Sequence, residues 1–260
     1  EKSKLMNLSL EILKKGKLLP SGIFSIINNS SQSEIEKSAI KNNIFFFNMS
    51  EIAKLFEVKK PNIEIITKAK LPIKKTNNAE IIVFKFNNEP KDYFCILIGK
   101  MTNNNLSNLI PTVRIHSQCV TGDIFHSMKC DCGEQLDKSL DLMVKNDEGI
   151  IIYLPQEGRD IGLTNKIRAY KLQEDGLDTV DANFTLGFRD DERSYDVAVA
   201  ILKKLNFKKI NLITNNPNKV KKLNDEGLEV MKIIKLKIEP NEINKEYLNT
   251  KKIKSNHIFD

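Results

Sequence analysis

The sequence predicts an α/β protein, and three observations carry that expectation. From residue 111 onward, strand, loop and helix patterns alternate. Strand-like runs in that half are continuously apolar, as in GIIIYL at 149–154, which suits strands covered on both faces by helices. Before them, residues 63–110 hold the short β-like runs IEIITKAKLPI, EIIVFKF and DYFCILIGK, with Cys95 a buried strand residue of the last.

Taken in order, residues 1–60 read as helix, strand, helix, strand, helix: LMNLSLEILKKG, SGIFSIIN, SEIEKSAIKN, NIFFFNM and SEIAKLFEV. They form a small α/β segment, with Ser50 as the N-cap of its last helix. The composition turns polar around Pro61, where a linker is expected. TVRIHS is a strand, and CGEQLDKSLDLMVKNDEG is a helix with Leu136, Leu140 and Met143 on one face and Gly149 at its end. After GIIIYL come the loop PQEGRDIG and the helix TNKIRAYKLQEDG, stopped by Gly176. DDERSYDVAVAILKKLN reads as a helix opened by Asp190, Asp191 and Glu192, followed by the strand KINLIT and the helix NPNKVKKLNDEG.

Composition narrows the function. Apolar content of 40% and charge of 29% over 260 residues are those of a soluble globular protein with a real core. No apolar run approaches the roughly 18–20 residues of a membrane span. The charged N-terminal segment lacks the apolar centre of a secretory signal, although a chain beginning at Glu1 leaves room for upstream sequence. Four cysteines in a chain this long make no disulfide framework, so a cytoplasmic setting is expected. The net charge of +7 raises nucleic-acid binding, but the lysines are spread along the chain and no aromatics interleave with them. A small polyanion such as a nucleotide suits this charge better.

Cys119, Cys130 and Cys132 are spaced C-x10-C-x-C among polar neighbours, SQCVTGD and MKCDCGE. Buried small residues would sit in apolar surroundings, and a disulfide between positions 130 and 132 would be strained. A metal fits better, because thiolates prefer zinc and Gly122 and Gly133 let the backbone close around a centre. A structural zinc wants four ligands, for which His116 and His126 are candidates; three thiolates and an open position describe a catalytic zinc.

The run VRIHSQCVTGDIFHSMKCDCGEQL, then YLPQEGRDIGLTNKIRAYKLQEDGLDTVDANFTLGFRDDERSYDVAVAIL and LITNNPNKV, resembles GTP cyclohydrolase II. Several separate motifs fall in that family's order and spacing over residues 65–250, with a domain expected at 63–250 and a tail at 251–260. The resemblance implies a mixed sheet flanked by helices and a homodimer. It also implies a hydrolase that cleaves a cyclic amidine C–N bond. Its reaction converts GTP to 2,5-diamino-6-(5-phosphoribosylamino)pyrimidin-4(3H)-one, formate and pyrophosphate at the opening of riboflavin biosynthesis. One Zn2+ per chain would sit on Cys119, Cys130 and Cys132, with Mg2+ accompanying the triphosphate.

Further roles follow from the same resemblance. Arg114, Ile115, His116, Ser117, Gln118, Gln135, Glu157, Gly158, Arg159, Thr179, Thr214 and Lys219 match nucleotide contacts. Arg193 matches a nucleophile that attacks the α-phosphorus, Asp191 its proton acceptor, and Tyr170 a tyrosine near the zinc-bound water. An arginine ordinarily holds its proton to above pH 12, so stabilising phosphate charge is the conservative role for Arg193. Gln118 stands where many members carry Glu, and Pro155 where a basic residue is common. Residues 1–60 more distantly resemble the closing part of a 3,4-dihydroxy-2-butanone 4-phosphate synthase domain without its acidic and Gly-His-Thr-Glu motifs, so that activity is not expected.

Overall fold

The computed structural model describes residues 2–25, 31–55, 62–87, 89–103 and 109–245. The expected linker around Pro61, apart from its last residues, and the expected tail at 251–260 lie outside them, as do the closing residues of SGIFSIIN and SEIAKLFEV. The chain divides into two compact units, Glu1–Lys60 and Pro61–Asp260.

The first unit contains the helices α1 (Lys2–Lys15), α2 (Gln32–Lys41) and α3 (Met49–Leu55). A capping box starts α2: the Ser31 side chain accepts from the Glu34 amide while Glu34 reaches back to the Ser31 amide. Two expectations are corrected here. The Asn48 side chain, rather than Ser50, caps α3, accepting from the Glu51 amide at 3.1 Å. The runs expected as strands are irregular at 21–25 and 44–48. A β-prone run becomes a strand only against a neighbour that completes its ladder, and none pairs with these among the described residues. Ile44, Phe45 and Phe47 are left exposed, the two rings stacked 6.4 Å apart.

The second unit is built on a seven-stranded sheet. Its strands are β1 (Ile63–Lys70), β2 (Ala79–Phe86), β3 (Tyr93–Gly99), β4 (Thr112–Ser117), β5 (Glu148–Leu154), β6 (Lys209–Ile213) and β7 (Glu229–Ile234), in the order β1-β2-β3-β5-β4-β6-β7. The first three pair antiparallel and β3 pairs antiparallel with β5, whereas β5, β4, β6 and β7 run parallel, which makes the sheet mixed. Between them lie α4 (Val120–Asp123), α5 (Cys132–Lys145), α6 (Glu157–Asp160), α7 (Leu163–Glu174), α8 (Thr179–Thr185), α9 (Asp196–Lys204) and α10 (Pro217–Asp225).

Both sheet faces are covered, which is why the central strands read as unbroken apolar runs. In β5, Ile150, Ile152 and Leu154 join one core with Phe84, Ile115 and the α9 residues Val197–Leu202. Ile151 turns to the opposite core, where Met143 of α5 packs with Ile98 and Ile213. Each such aliphatic side chain contributes about 1.5–3 kcal/mol on burial.

Three sequence expectations about this unit are corrected. Gly149 does not end α5, which stops at Lys145 with Asn146 as its cap; left-handed Asp147 (φ 50°) then turns the chain into β5. Gly149 lies inside β5, where a Cβ would stand 2.2 Å from Met143 Cγ. The loop PQEGRDIG contains the short turn α6, whose Gly158 and Arg159 are left-handed. Residues 190–195 do not open α9. The Asp191 carboxylate accepts the Arg193 amide two residues on, an alternative to the helical pattern, and the helix begins only at Asp196.

Candidate active site

The parallel half of the sheet creates the crevice. From β4 the chain leaves to pair β5 on one side, and from β6 it leaves to pair β7 on the other. The carboxyl ends of β4 and β6 therefore form a topological switch point, the place where open α/β sheets bind ligands. Pairing of β4 with β6 covers only Thr112 with Asn211 and Val113 with Leu212, so the two strands part above that point. Two buried cations bridge the opening: Arg114 donates to the Ile213 carbonyl at 3.3 Å, and Lys219 to the Ile115 carbonyl at 3.0 Å.

Every site residue expected from the sequence except Asp191 lines this one cleft, and Asp191 sits directly behind Arg193. Ser117, Gln118 and Cys119 follow β4, Glu157, Gly158 and Arg159 follow β5, and Thr214 follows β6. Tyr170 and Thr179 come from α7 and α8, and Gln135 from α5. The Arg114 Nε and His116 Nδ1 atoms are buried without a protein partner, polar atoms left for a ligand or water.

Within the cleft lining the Cys119, Cys130 and Cys132 sulfurs all lie within 4.8 Å of one another, a group able to hold a metal. Cys119 stands at the head of α4 and Cys132 opens α5. The backbone around them admits no side chain: a Cβ on Gly122 would stand 2.9 Å from Cys130 Sγ, and one on Gly133 2.2 Å from the Gly122 carbonyl oxygen. The thiol chemistry and this cradle fit a thiophilic ion. Neither histidine joins the group. His116 Nε2 lies 3.0 Å from Asp123 Oδ1, and burial lowers its pKa. His126 is absent from the group and from the cleft lining.

Electrostatics favour the ionised form most at Cys119. Hydrogen bonds from Cys130 and Cys132, joined by the charge of Lys166, outweigh burial and hold it far below an ordinary thiol. The hydrogen bond to Cys119, then burial and the Cys119 charge, push Cys130 up to about 11 against the lowering contact with Cys132. Lys166 donates to Cys119 Sγ at 3.1 Å, to Thr121 at 2.8 Å and to Glu157 at 2.7 Å. Tyr170, beneath the ammonium groups of Lys129 and Lys166, is pushed up to about 12, chiefly by burial.

The same cleft holds two arginines, each braced by an aspartate. Arg193 donates through Nε and a terminal nitrogen to both oxygens of Asp191, at 2.8 and 2.7 Å. Burial would raise the Asp191 carboxyl, but the bonds and charge of Arg193, then the charge of Arg159, hold it well below the usual range. Arg159 pairs with the Asp190 carboxylate and carbonyl. Its left-handed backbone (φ 60°), followed by Asp160 at φ 72°, stores on the order of 1–2 kcal/mol per residue, strain of the kind functional sites hold. Gln156 fastens the two arginine loops together by donating to the Ser194 carbonyl at 2.6 Å.

Sequence reasoning missed Lys166, Asp123, Gln156, Asn183, Asn215 and Asn216. All but Asp123 line the cleft, and the Asp123 carboxylate joins His116, the Cys119 amide and Tyr153. Lys166 had a signal, since it lies four residues before Tyr170 on one helix and shares its face.

The sequence profile of GTP cyclohydrolase II matches residues 64–235. A GTP cyclohydrolase-2 of Picrophilus torridus is 47% identical over 197 residues, 76% of this chain and 100% of that protein. Another from Buchnera aphidicola subsp. Baizongia pistaciae is 48% identical over 196 residues, 75% of this chain and 96% of that one. The riboflavin biosynthesis protein RibBA of Endomicrobium trichonymphae is 36% identical over 256 residues, 96% of this chain but only 62% of that longer protein. That alignment reaches into residues 1–60, upstream of the profile. With most of its length inside the profile and nearly half its aligned residues shared with two proteins that carry the name, the chain belongs to the GTP cyclohydrolase II family.

Proposed function

We propose that this chain hydrolyses GTP to 2,5-diamino-6-(5-phosphoribosylamino)pyrimidin-4(3H)-one, formate and pyrophosphate, using one Zn2+ held by Cys119, Cys130 and Cys132. The observation that carries the reading is that three clustered thiols and two aspartate-braced arginines line a single cleft at the strand switch point. Opening an imidazole ring and cutting a triphosphate are different tasks, and the cleft has a separate set of groups for each.

Cys119, Cys130 and Cys132 would hold the zinc, which when bound would supply a water acidic enough to serve as a nucleophile near neutral pH. The chain's own residues place the substrate there. Arg159 and Arg193 present forked, permanently charged donors to the phosphates, with Mg2+ accompanying the triphosphate. Lys219 and Arg114 supply positive charge at the β4–β6 opening, and Thr214 and Thr179 supply hydroxyls. Tyr170 is held protonated beside the cysteines, where its hydroxyl can donate to the oxygen that adds to C8 as the C8–N bond breaks.

For pyrophosphate release the resting geometry supports Arg193 as a charge clamp on the α-phosphate. A proton moving from its guanidinium, which holds it to above pH ~12, to a carboxylate held well below the usual range would climb steeply. The covalent version requires that climb: an Arg193 nitrogen bonds the α-phosphorus, the α–β P–O bond breaks, pyrophosphate leaves, and Asp191 takes the proton. Incubating zinc-loaded protein with GTP and measuring formate and pyrophosphate separately tests the reading. Release of both supports it, and absence of formate from the folded, zinc-loaded protein overturns it. A homodimer, a cytoplasmic location and a chain that binds neither nucleic acid nor membrane belong to the same proposal. No helix among the described residues is long and apolar enough to cross a membrane.

A further inference from the structure

Lys166 is a buried cation whose three contacts join parts of the site that are distant in sequence. Its residue is 8% exposed, and its ammonium reaches Cys119 Sγ, Thr121 Oγ1 and Glu157 Oε1 at 3.1, 2.8 and 2.7 Å. Glu157 is buried as well, and its other oxygen accepts the amide of Val120, the residue after Cys119, at 2.7 Å. Gly158 packs against the lysine stem so closely that a Cβ would stand 2.9 Å from Lys166 Cβ. One sulfur, the start of α4, the left-handed loop and α7 are thus tied through two side chains.

A buried Lys–Glu pair is a poor way to gain stability, because desolvating both charges costs several kcal/mol and apolar residues would serve as well. The pair makes sense with a third charge beside it. Three thiolates around a divalent cation leave a net negative charge, which weakens the cation as a Lewis acid. An ammonium hydrogen-bonded to one sulfur offsets that charge and draws electron density from the thiolate, as partners around metal ligands do.

We propose that Lys166 is a positioning residue of the three-cysteine centre: it donates a hydrogen bond to the Cys119 sulfur, offsets one sulfur charge when the centre is loaded and, through Glu157, fixes that sulfur relative to the loop carrying Arg159. Glu157 acts here as an internal strut, with both oxygens engaged by the protein. The inference rests on the zinc reading above, so its test uses a readout that separates the two. Full-length protein is loaded with Co2+, whose thiolate-to-cobalt charge-transfer band reports how strongly the sulfurs donate.

Lys166→Met keeps the stem and removes the cation. It is expected to bind one cobalt per chain with the band moved to longer wavelength, and in the zinc form to lose about 10–100-fold in formate release with KM for GTP nearly unchanged. Glu157→Gln leaves the ammonium but loosens its brace, and a smaller shift in the same direction is expected; where Lys166→Met does not fold, this variant decides. An unmoved band in the cobalt-loaded variants overturns the proposal, because a merely structural lysine has no reason to alter sulfur donation. A wild-type protein that takes up cobalt without any thiolate band overturns the zinc reading itself, and the role of Lys166 with it.

Discussion

The two-point pairing of Arg193 with both oxygens of Asp191 makes arginine chemistry directly testable. Arg193→Lys keeps a positive charge but loses the planar fork that spans both Asp191 oxygens. Pyrophosphate release is expected to fall by on the order of a hundredfold, about 3 kcal/mol of barrier. Near-normal release from the lysine variant would remove Arg193 from the chemistry, and a guanylyl adduct on Arg193 in mass spectra would establish the covalent route over the clamp. Asp191 also has a stability signature. Its folded pKa is depressed, so its contribution is present above the unfolded carboxyl range of about 4 and is lost as pH falls towards the folded value. Denaturant titrations should show wild type more stable than Asp191→Asn at pH 7, with the gap narrowing below about pH 4; a gap that stays constant to pH 3 would remove the charge from the account. Among the thiols, Cys130→Ser or stripping the metal with a chelator is expected to abolish formate release and spare slow pyrophosphate release. Formate production by metal-free protein would contradict the assignment of the thiols.

At the scale of elements, two glycines separate packing from metal binding. Gly149→Ala drives a methyl into fully buried Met143, and overpacking of this kind costs about 1–3 kcal/mol, to be read as a lower urea midpoint with unchanged metal content. The same substitution in a Met143→Ala background should cost less, because Met143 Cγ and Sδ, at 2.2 and 2.4 Å from the added methyl, are gone and only Cβ at 2.6 Å remains to shift. Gly122→Ala instead pushes on Cys130 Sγ and is expected to lower metal stoichiometry more than stability; a full complement of metal in that variant would mean the cradle is not needed. These contacts also show what the sequence could reveal. GIIIYL and TVRIHS were legible because burial on both faces demands unbroken apolar runs. Gly149 was misread because glycine after a helical pattern ordinarily signals a cap, and only the fold shows the methionine it makes room for. The β7 segment EVMKII was missed, its exposed residues Met231 and Ile233 resembling a solvated linker more than a strand. Helix α8 is seven residues long and rests on one Asp178 cap, too little periodicity to detect. The cysteines were legible because thiols are rare and chemically specific, whereas the Lys166 and Asp123 contacts depend on elements that only folding brings together.

At the scale of the molecule, the chain pairs a unit that carries the whole candidate site with one whose described residues carry none of it. Residues 1–60 hold three helices and, between the second and third, the exposed Ile44, Phe45 and Phe47, which find no sheet to join among the described residues; none of this unit's described residues lines the cleft. The second unit has its own cores on both sheet faces, and the two GTP cyclohydrolase-2 relatives align with only about three quarters of the chain. A variant beginning near Asn62 is therefore expected to fold, to bind one zinc and to release formate and pyrophosphate at rates within a few-fold of the full chain. Removing residues 1–60 also removes exposed apolar side chains, so the shorter protein should be less prone to aggregate. The informative comparison is between folding and turnover in the same preparation. A truncated protein with full zinc content, a cooperative unfolding transition and no turnover would show that the first unit shapes the cleft or the assembly. Retained turnover would confine the chemistry to the sheet, with the cysteine cradle and the arginine loops complete on it.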